Sequence, residues 1–236
     1  MAERSKTHRK QNHRNLACPL LSLHYKALME SDWASEHLQV IRTLMERSAL
    51  YRRALAPIMT VAGIIGLIGG VIPCFVDLKT ARSFSLFWMA VSVAAALAAF
   101  VLVRRQALKE AEPFWSVPTR RVTQALAPPF VIGLVSGAVA AFSGSAIGLE
   151  PTLVAIIWIV AYGCGLSAAG FFMQRGIKLL GWIFVISGAS LLVGYGSCPW
   201  LKTPQAAHYL MGIFFGLLHL AYGGYLYFTE KAKQAA

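Results

Sequence analysis

From Pro128 to Phe172 the sequence reads PPFVIGLVSGAVAAFSGSAIGLE and then PTLVAIIWIVAYGCGLSAAGFF, and Glu150 is its one charged residue. Glu150 separates two apolar runs, 128–149 and 152–172, each about as long as the ~20 helical residues that cross about 30 Å of hydrocarbon. The Glu-Pro pair between them leaves no room for a longer loop, so the two helices must be antiparallel neighbours. The stretch therefore predicts a helical hairpin inside a membrane.

Four further runs of the same kind flank this hairpin, and Lys178, at the edge of one, is the only Asp, Glu, Lys or Arg residue within the six runs. The chain of 236 residues is 57% hydrophobic and 14% charged, which leaves too few polar side chains to cover a soluble domain. We therefore predict an all-α membrane protein with a six-transmembrane-helix bundle over residues 57–228. Prolines, including Pro128 and Pro129, are expected to limit the helices of the 104–127 connection. The other four predicted spans are 57–76, 83–103, 177–195 and 209–228.

The basic residues predict the orientation of the bundle, because Lys and Arg accumulate in the cytoplasmic segments of membrane proteins. With the N-terminus placed inside, the inner segments carry nineteen Lys and Arg residues and the outer segments carry three. Both termini are therefore predicted to be cytoplasmic, with 229–236 as a cytosolic tail. The net charge of +12 does not indicate a specific nucleic-acid partner, since beyond the N-terminal tail the basic residues flank apolar runs.

The first 56 residues divide into two parts. Residues 1–31 are basic and are predicted to be disordered beside the anionic leaflet of the lipid bilayer. Residues 32–56 are predicted to form an amphipathic cytosolic helix, with Asp32 as its N-cap and helical periodicity over 32–54. The exposed charge pattern of this helix indicates a cytosolic protein partner. The residues expected to face that partner are Trp33, Gln39, Arg42 and Glu46.

Within this helix, residues 36–48 read EHLQVIRTLMERS. The segment resembles one found in a group of small, uncharacterised bacterial multi-pass membrane proteins, which carry an "IRxTMER"-like helix just before the first membrane span. Elsewhere the chain corresponds to these proteins only in its hydrophobic layout. The resemblance implies a location in the bacterial inner membrane, and it implies no established activity.

Glycines recur at helical spacing along three of the predicted spans and line one face of each helix. Small residues at this spacing let helix backbones approach closely, which favours association in lipid. We therefore predict close helix packing; the alternative is flexibility for alternating access. The glycines are Gly63, Gly66 and Gly70 in the first span, Gly133, Gly137, Gly144 and Gly148 in the third, and Gly212, Gly216 and Gly223 in the sixth.

His219 is the histidine that lies well inside a predicted span, and together with Ser167 and Tyr162 it defines a candidate pocket. An ionisable residue within a membrane is a candidate proton carrier, ligand or base; the alternative is a neutral imidazole bonded to a carbonyl or hydroxyl. Ser167, in a Gly-x-Ser motif, and His219 resemble the catalytic pair of rhomboid intramembrane serine proteases. Their predicted depths differ by roughly 7 Å at the rise of a helix, whereas a nucleophile and its base lie within about 3 Å.

The cysteines are too scattered for a disulfide framework or for a zinc site with C-x-x-C spacing. Cys74 and Cys198 both fall at predicted outer helix ends, where a disulfide would join the first helix to the fifth in an oxidising periplasm. The alternative is two separate thiols. No metal and no cofactor is expected, because a haem with two histidine ligands needs a second histidine inside a span.

Three classes of function fit these patterns. The favoured one is a non-catalytic membrane subunit or signalling protein of the bacterial inner membrane, whose helix 32–54 binds a partner. The second is a transporter or channel for a small uncharged solute, which would use the glycine-lined seams and His219. The third is an intramembrane serine protease, which the depth mismatch disfavours.

Overall fold

Six long helices form the part of the chain that the computed structural model describes, namely residues 55–109, 115, 117–143, 149–173 and 175–235. All six are long and apolar enough to cross a membrane, and no strand occurs in these ranges, which confirms the predicted fold class of the bundle. The helices are α1 (Leu55–Cys74), α2 (Ala81–Lys109), α3 (Val117–Phe142), α4 (Pro151–Ala169), α5 (Arg175–Gly194) and α6 (Pro204–Met211, π-helical Gly212–Leu217 and Leu218–Ala235).

The predicted N-terminal tail 1–31 and nearly all of the amphipathic helix 32–56 lie outside the described residues. Leu55 and Ala56, which the sequence pattern assigned to the end of that helix, belong to α1 and are buried. The described part of the chain is therefore the membrane bundle with the beginning of the C-terminal tail.

Prolines begin two of the helices. The backbone N–H at the first position of a helix has no intrahelical partner, so proline, which lacks this N–H, is tolerated there. Pro151 opens α4 directly after the extended Glu150. Pro204 opens α6, and the hydroxyl oxygen of Thr203 caps this helix by accepting a hydrogen bond from the Ala206 N–H at 3.4 Å. The α6 helix thus starts before the predicted span 209–228, because apolar runs miss polar first turns.

Two prolines lie inside α3, so the expectation that they limit its helix is wrong. The helix starts at Val117 and continues through Pro128 and Pro129. A Cβ atom on Gly165 would lie 3.0 Å from the Pro129 ring, so this ring packs against α4. Membrane helices tolerate interior prolines because neighbouring helices and local adjustments compensate the lost backbone bond.

The α4 helix is the centre of the bundle and packs against α3, α5 and α6. In the apolar 18-residue stretch of α4, 56% of the residues are buried, whereas the corresponding share in α2 is 6%. The α2 helix therefore lies at the periphery, where its large apolar side chains are suited to contact with lipid. Two buried clusters form the core, one around Ile159, Phe184 and Phe214 and the other around Phe84, Trp88 and Val154.

Candidate functional site

Tyr162 of α4 and His219 of α6 form a hydrogen-bonded pair beside Phe184 of the first core cluster. The Tyr162 hydroxyl lies 2.8 Å from His219 Nε2, and His219 Nδ1 lies 3.0 Å from the carbonyl oxygen of Phe214. A carbonyl oxygen only accepts, so Nδ1 carries the proton of the neutral imidazole and Nε2 accepts from the Tyr162 hydroxyl. Neutral His219 therefore has both ring nitrogens occupied.

Aromatic rings enclose this pair. The ring centroid of Phe184 lies 5.3 Å from that of Tyr162 and 5.7 Å from that of His219. Phe215 stacks on the imidazole at 5.9 Å, and His219 is only 2% exposed. An unpaired polar group would be costly in this apolar environment, so the Tyr162–His219 hydrogen bond holds α4 to α6.

The π-helical segment Gly212–Leu217 positions His219 against its backbone partner. In this segment the Leu218 N–H bonds to the carbonyl of Ile213, five residues back. The carbonyl oxygen of Phe214 is the next one along the chain, and it receives the imidazole N–H of His219. Turns of π-helix are rare in proteins, and many of those that occur lie at functional sites. Here the imidazole N–H of His219 provides a hydrogen bond to a carbonyl oxygen of the π-helical segment.

Ser167 lies on α4 but makes no hydrogen bond to His219. Its Oγ is buried and has no hydrogen-bond partner in the described part of the chain. Ser167 instead faces Gly181 of α5, where a Cβ atom would come within 2.5 Å of the Ser167 Oγ. The structure therefore joins Tyr162 and His219 but leaves Ser167 outside that pair, and Ser167 and His219 do not form the pair expected of a rhomboid protease.

Tyr222, one helical turn beyond His219, is a second buried hydroxyl that has no hydrogen-bond partner among the described residues. Its hydroxyl lies against Gly176 at the start of α5, where a Cβ atom would come within 2.5 Å. Ser85 of α2 has the third such hydroxyl, and of the three it is those of Ser167 and Tyr222 that face glycines of α5. Sequence reasoning missed Tyr222, although its spacing of three residues from His219 places it on a nearby face.

His208 is a second histidine inside α6, so the expectation that His219 has no counterpart within a span needs correction. The predicted span 209–228 began one residue after His208 and therefore did not include it. The Trp88 indole N–H donates to His208 Nδ1 at 3.0 Å, so Nε2 carries the proton and donates to the Leu78 carbonyl oxygen at 3.0 Å. The two histidines lie on one helix about 16 Å apart at 1.5 Å per residue, which excludes a shared haem iron.

A shallow cleft of about 320 Å³ lies beside His208, at the end of the bundle where α1 ends and α6 begins. Its wall includes Cys74, Leu78 and the exposed ion pair of Asp77 with Lys79, in which the charged atoms lie 3.2 Å apart. Since both ring nitrogens of His208 are occupied, this histidine has no free nitrogen to offer a molecule in the cleft.

Tyr195 and Glu150 connect the segments that precede α4 and follow α5. The Tyr195 hydroxyl donates a hydrogen bond to the Glu150 carboxylate. Burial raises the pKa of Tyr195 to about 12, and this hydrogen bond and the carboxylate charge act in the same direction. The tyrosine therefore stays a neutral donor at physiological pH.

The glycines of α1 and α6 lie where these two helices meet. A Cβ atom on Gly66 would come within 2.8 Å of the Gly216 backbone nitrogen, and one on Gly70 within 2.9 Å of the Gly212 Cα. Gly63 faces Leu220 and Gly216, and Gly223 faces Thr60 in the same way. The remaining glycines named from the sequence are Gly133 and Gly137, which face Trp158, and Gly144 and Gly148, which lie outside the described residues.

A second glycine seam, between α4 and α5, was missed by sequence reasoning. A Cβ atom on Gly163 would come within 2.9 Å of the Gly181 carbonyl oxygen, and one on Gly188 within 2.6 Å of the Val160 side chain. The glycines in the interior of the fourth and fifth apolar runs could have indicated this seam. Glycine destabilises the interior of a helix, so its presence there suggests that a neighbouring helix packs closely against it.

Cys74 and Cys198 are free thiols in the structure. Cys74 is exposed in the last turn of α1, whereas Cys198 is half-buried and packs against the first core cluster. Across the described ranges, no group of three or more His, Cys, Asp or Glu side chains is arranged to hold a metal ion.

The face expected to meet a partner, formed by Trp33, Gln39, Arg42 and Glu46, lies outside the described residues. Comparison of the chain with protein-family models, with curated proteins and with solved structures finds no match.

Proposed function

We propose that this chain is a non-catalytic multi-pass protein of the bacterial inner membrane, whose bundle anchors the cytosolic helix 32–54 for a partner protein. The observation that supports this proposal most is that the hydrogen bonds and surroundings of His219 leave neither ring nitrogen accessible. Neutral His219 has both nitrogens in hydrogen bonds, and aromatic rings enclose it. A proton carrier or general base needs a nitrogen that can reach water or a substrate, within about 3 Å.

The helix seams add support for this view of the bundle. Gly66 and Gly70 bring α1 against the backbone of α6, and Gly163 brings α4 against α5. Seams in which backbone meets backbone resist the sliding that alternating access requires, since packed interfaces deform little. The bundle is therefore suited to anchoring, and the surface for function is expected outside it.

The distribution of cations supports an orientation with both termini in the cytoplasm. At the end of the bundle where α3 and α5 begin, the described residues include three times as many Lys and Arg residues as at the other end. The first group is Arg104, Arg105, Lys109, Arg120, Arg121, Arg175, Lys178, Lys231 and Lys233, and the second is Lys79, Arg82 and Lys202.

Site-specific photo-crosslinking in bacterial cells tests the partner. A photoreactive amino acid is placed at Gln39 and, as a matched control, at Leu44, which lies about 140° away around a helix. We expect one discrete protein adduct from position 39 and none from position 44. Absence of an adduct from position 39, or the same adducts from both positions, would contradict the proposal.

A solute channel is the second candidate, and the unpartnered hydroxyls of Ser167 and Tyr222 favour it, because such groups can bind a polar solute. Osmotic shrinkage of proteoliposomes in glycerol tests this function. If the bundle serves only as an anchor, proteoliposomes should have the same glycerol permeability as empty liposomes. Faster glycerol entry that Ser167→Ala or Tyr222→Phe abolishes would establish the channel instead.

A further inference from the structure

Two exposed phenylalanines and two cations form one surface at the turn between α4 and α5. Lys178 Nζ lies 4.1 Å from the ring centroid of Phe171, and the Arg121 guanidinium lies 5.8 Å from the ring centroid of Phe172. Phe171 is 72% exposed and Phe172 is 47% exposed. We call Arg121, Phe171, Phe172 and Lys178 the turn patch; its cations lie near the N-terminal ends of α3 and α5.

No carboxylate of the described residues neutralises the turn patch. The sequence has no Asp or Glu in 113–149 or in 151–229, and the first turns of α3 and α5 contain none. Asp77 and Glu150, the two acidic residues whose side chains are described, lie at the opposite end of the bundle. The exposed Arg175 beside Lys178 adds a further positive charge.

We propose that the turn patch binds the headgroup of an anionic phospholipid. The phosphate lies between Arg121 and Lys178, and the two phenylalanine rings contact the upper part of the acyl chains. Cations on aromatic faces keep N–H donors for a phosphate. Basic sites between membrane helices bind anionic headgroups at the cytoplasmic surface in this way.

The phenylalanines distinguish a phospholipid from a free phosphate ion. A soluble anion would use only the two cations and would leave large apolar rings in water. A phospholipid also covers the rings, because apolar and charged groups lie side by side at the boundary between headgroups and acyl chains. A phospholipid therefore gives each residue of the turn patch a partner, the phosphate for the two cations and the acyl chains for the two rings.

Native mass spectrometry of the detergent-solubilised full-length protein, titrated with phosphatidylglycerol, tests the inference. The variant is Arg121→Gln with Lys178→Gln. The control is Arg104→Gln with Arg105→Gln, which removes the same charge from the same end of the bundle. One basic side chain near an anionic leaflet contributes roughly fivefold in affinity, so we expect binding about 30-fold weaker in the variant. The control should match the wild type.

Three further comparisons make the outcome decisive. Phosphatidylcholine should bind weakly to all three proteins, Lys178→Arg should retain phosphatidylglycerol, and free inorganic phosphate should not compete with the lipid. Undiminished lipid binding in the variant, equal loss in the control, equal binding of phosphatidylcholine or competition by phosphate would each overturn the inference. These outcomes do not depend on any partner of helix 32–54, so the two proposals fail separately.

Discussion

The substitution Gly66→Ala adds one methyl group to the tightest point between α1 and α6. The new Cβ would lie 2.5 Å from the carbonyl carbon of Phe215 and 2.8 Å from the backbone nitrogen of Gly216. Real Cβ contacts are longer than 3 Å. Because the opposing atoms belong to the helix backbone, no side chain can rotate away, and the two helices must separate.

The expected loss of stability follows from two opposing terms. Overpacking a closely packed interface costs about 1–3 kcal/mol, and the backbone contacts place Gly66→Ala near the upper figure. Alanine is favoured over glycine inside a helix by about 1 kcal/mol. The net loss is therefore about 2 kcal/mol for Gly66→Ala. Gly224, on α6, supplies a matched control, because nothing lies within 4 Å of its added Cβ. Gly224→Ala should be neutral or stabilising by up to about 1 kcal/mol.

Unfolding by sodium dodecyl sulfate in mixed micelles, followed by tryptophan fluorescence, measures this difference. The midpoints should rank Gly224→Ala at or above the wild type and Gly66→Ala below it, with about 2–3 kcal/mol between the two variants. Equal midpoints for both variants would refute the argument, since both make the same chemical change and differ only in what the methyl group meets.

Three further predictions concern the histidines and a thiol. Tyr162→Phe removes the donor to His219 Nε2 and should lower the free energy of unfolding by about 1 kcal/mol in the same titration. Trp88→Phe removes the donor to His208 Nδ1 and shrinks a buried side chain, so its loss should be larger, about 2 kcal/mol; a smaller loss than for Tyr162→Phe would contradict this ranking. Cys74 should react with a membrane-impermeant maleimide in intact spheroplasts, because it is exposed at the proposed outer end; labelling only after lysis would reverse the proposed orientation.

Hydrophobic runs predicted the six spans because lipid requires about 20 apolar residues for each crossing. The same runs misplaced the helix ends. The start of α6 at Pro204 could have been found from its capping residue Thr203 and the proline at the first helical position. That start would have placed His208 inside the helix. The continuation of α3 through Pro128 could not be predicted, because it depends on packing against α4.

The candidate residues were only partly identifiable. Tyr162 and His219 stood out as polar groups within apolar runs, but their pairing depends on how α4 and α6 rotate against each other. Ser167 lies on α4 as predicted, yet it faces Gly181 of α5 instead of His219. Which face of a helix meets which neighbour follows from interhelical packing, and a single sequence with six apolar helices contains little information on it.

His208 and His219 show how polar bonds organise α6. Each neutral imidazole joins a side chain of another helix to a backbone carbonyl, but the protonated nitrogen differs, Nε2 in His208 and Nδ1 in His219. A second proton on His208 would oppose the indole N–H of Trp88, which cannot accept a hydrogen bond. A second proton on His219 would meet the Tyr162 hydroxyl, which can turn from donor to acceptor. The hydrogen bonds of His208 therefore require the neutral form more strictly than those of His219, even though His219 is the more deeply placed along the span.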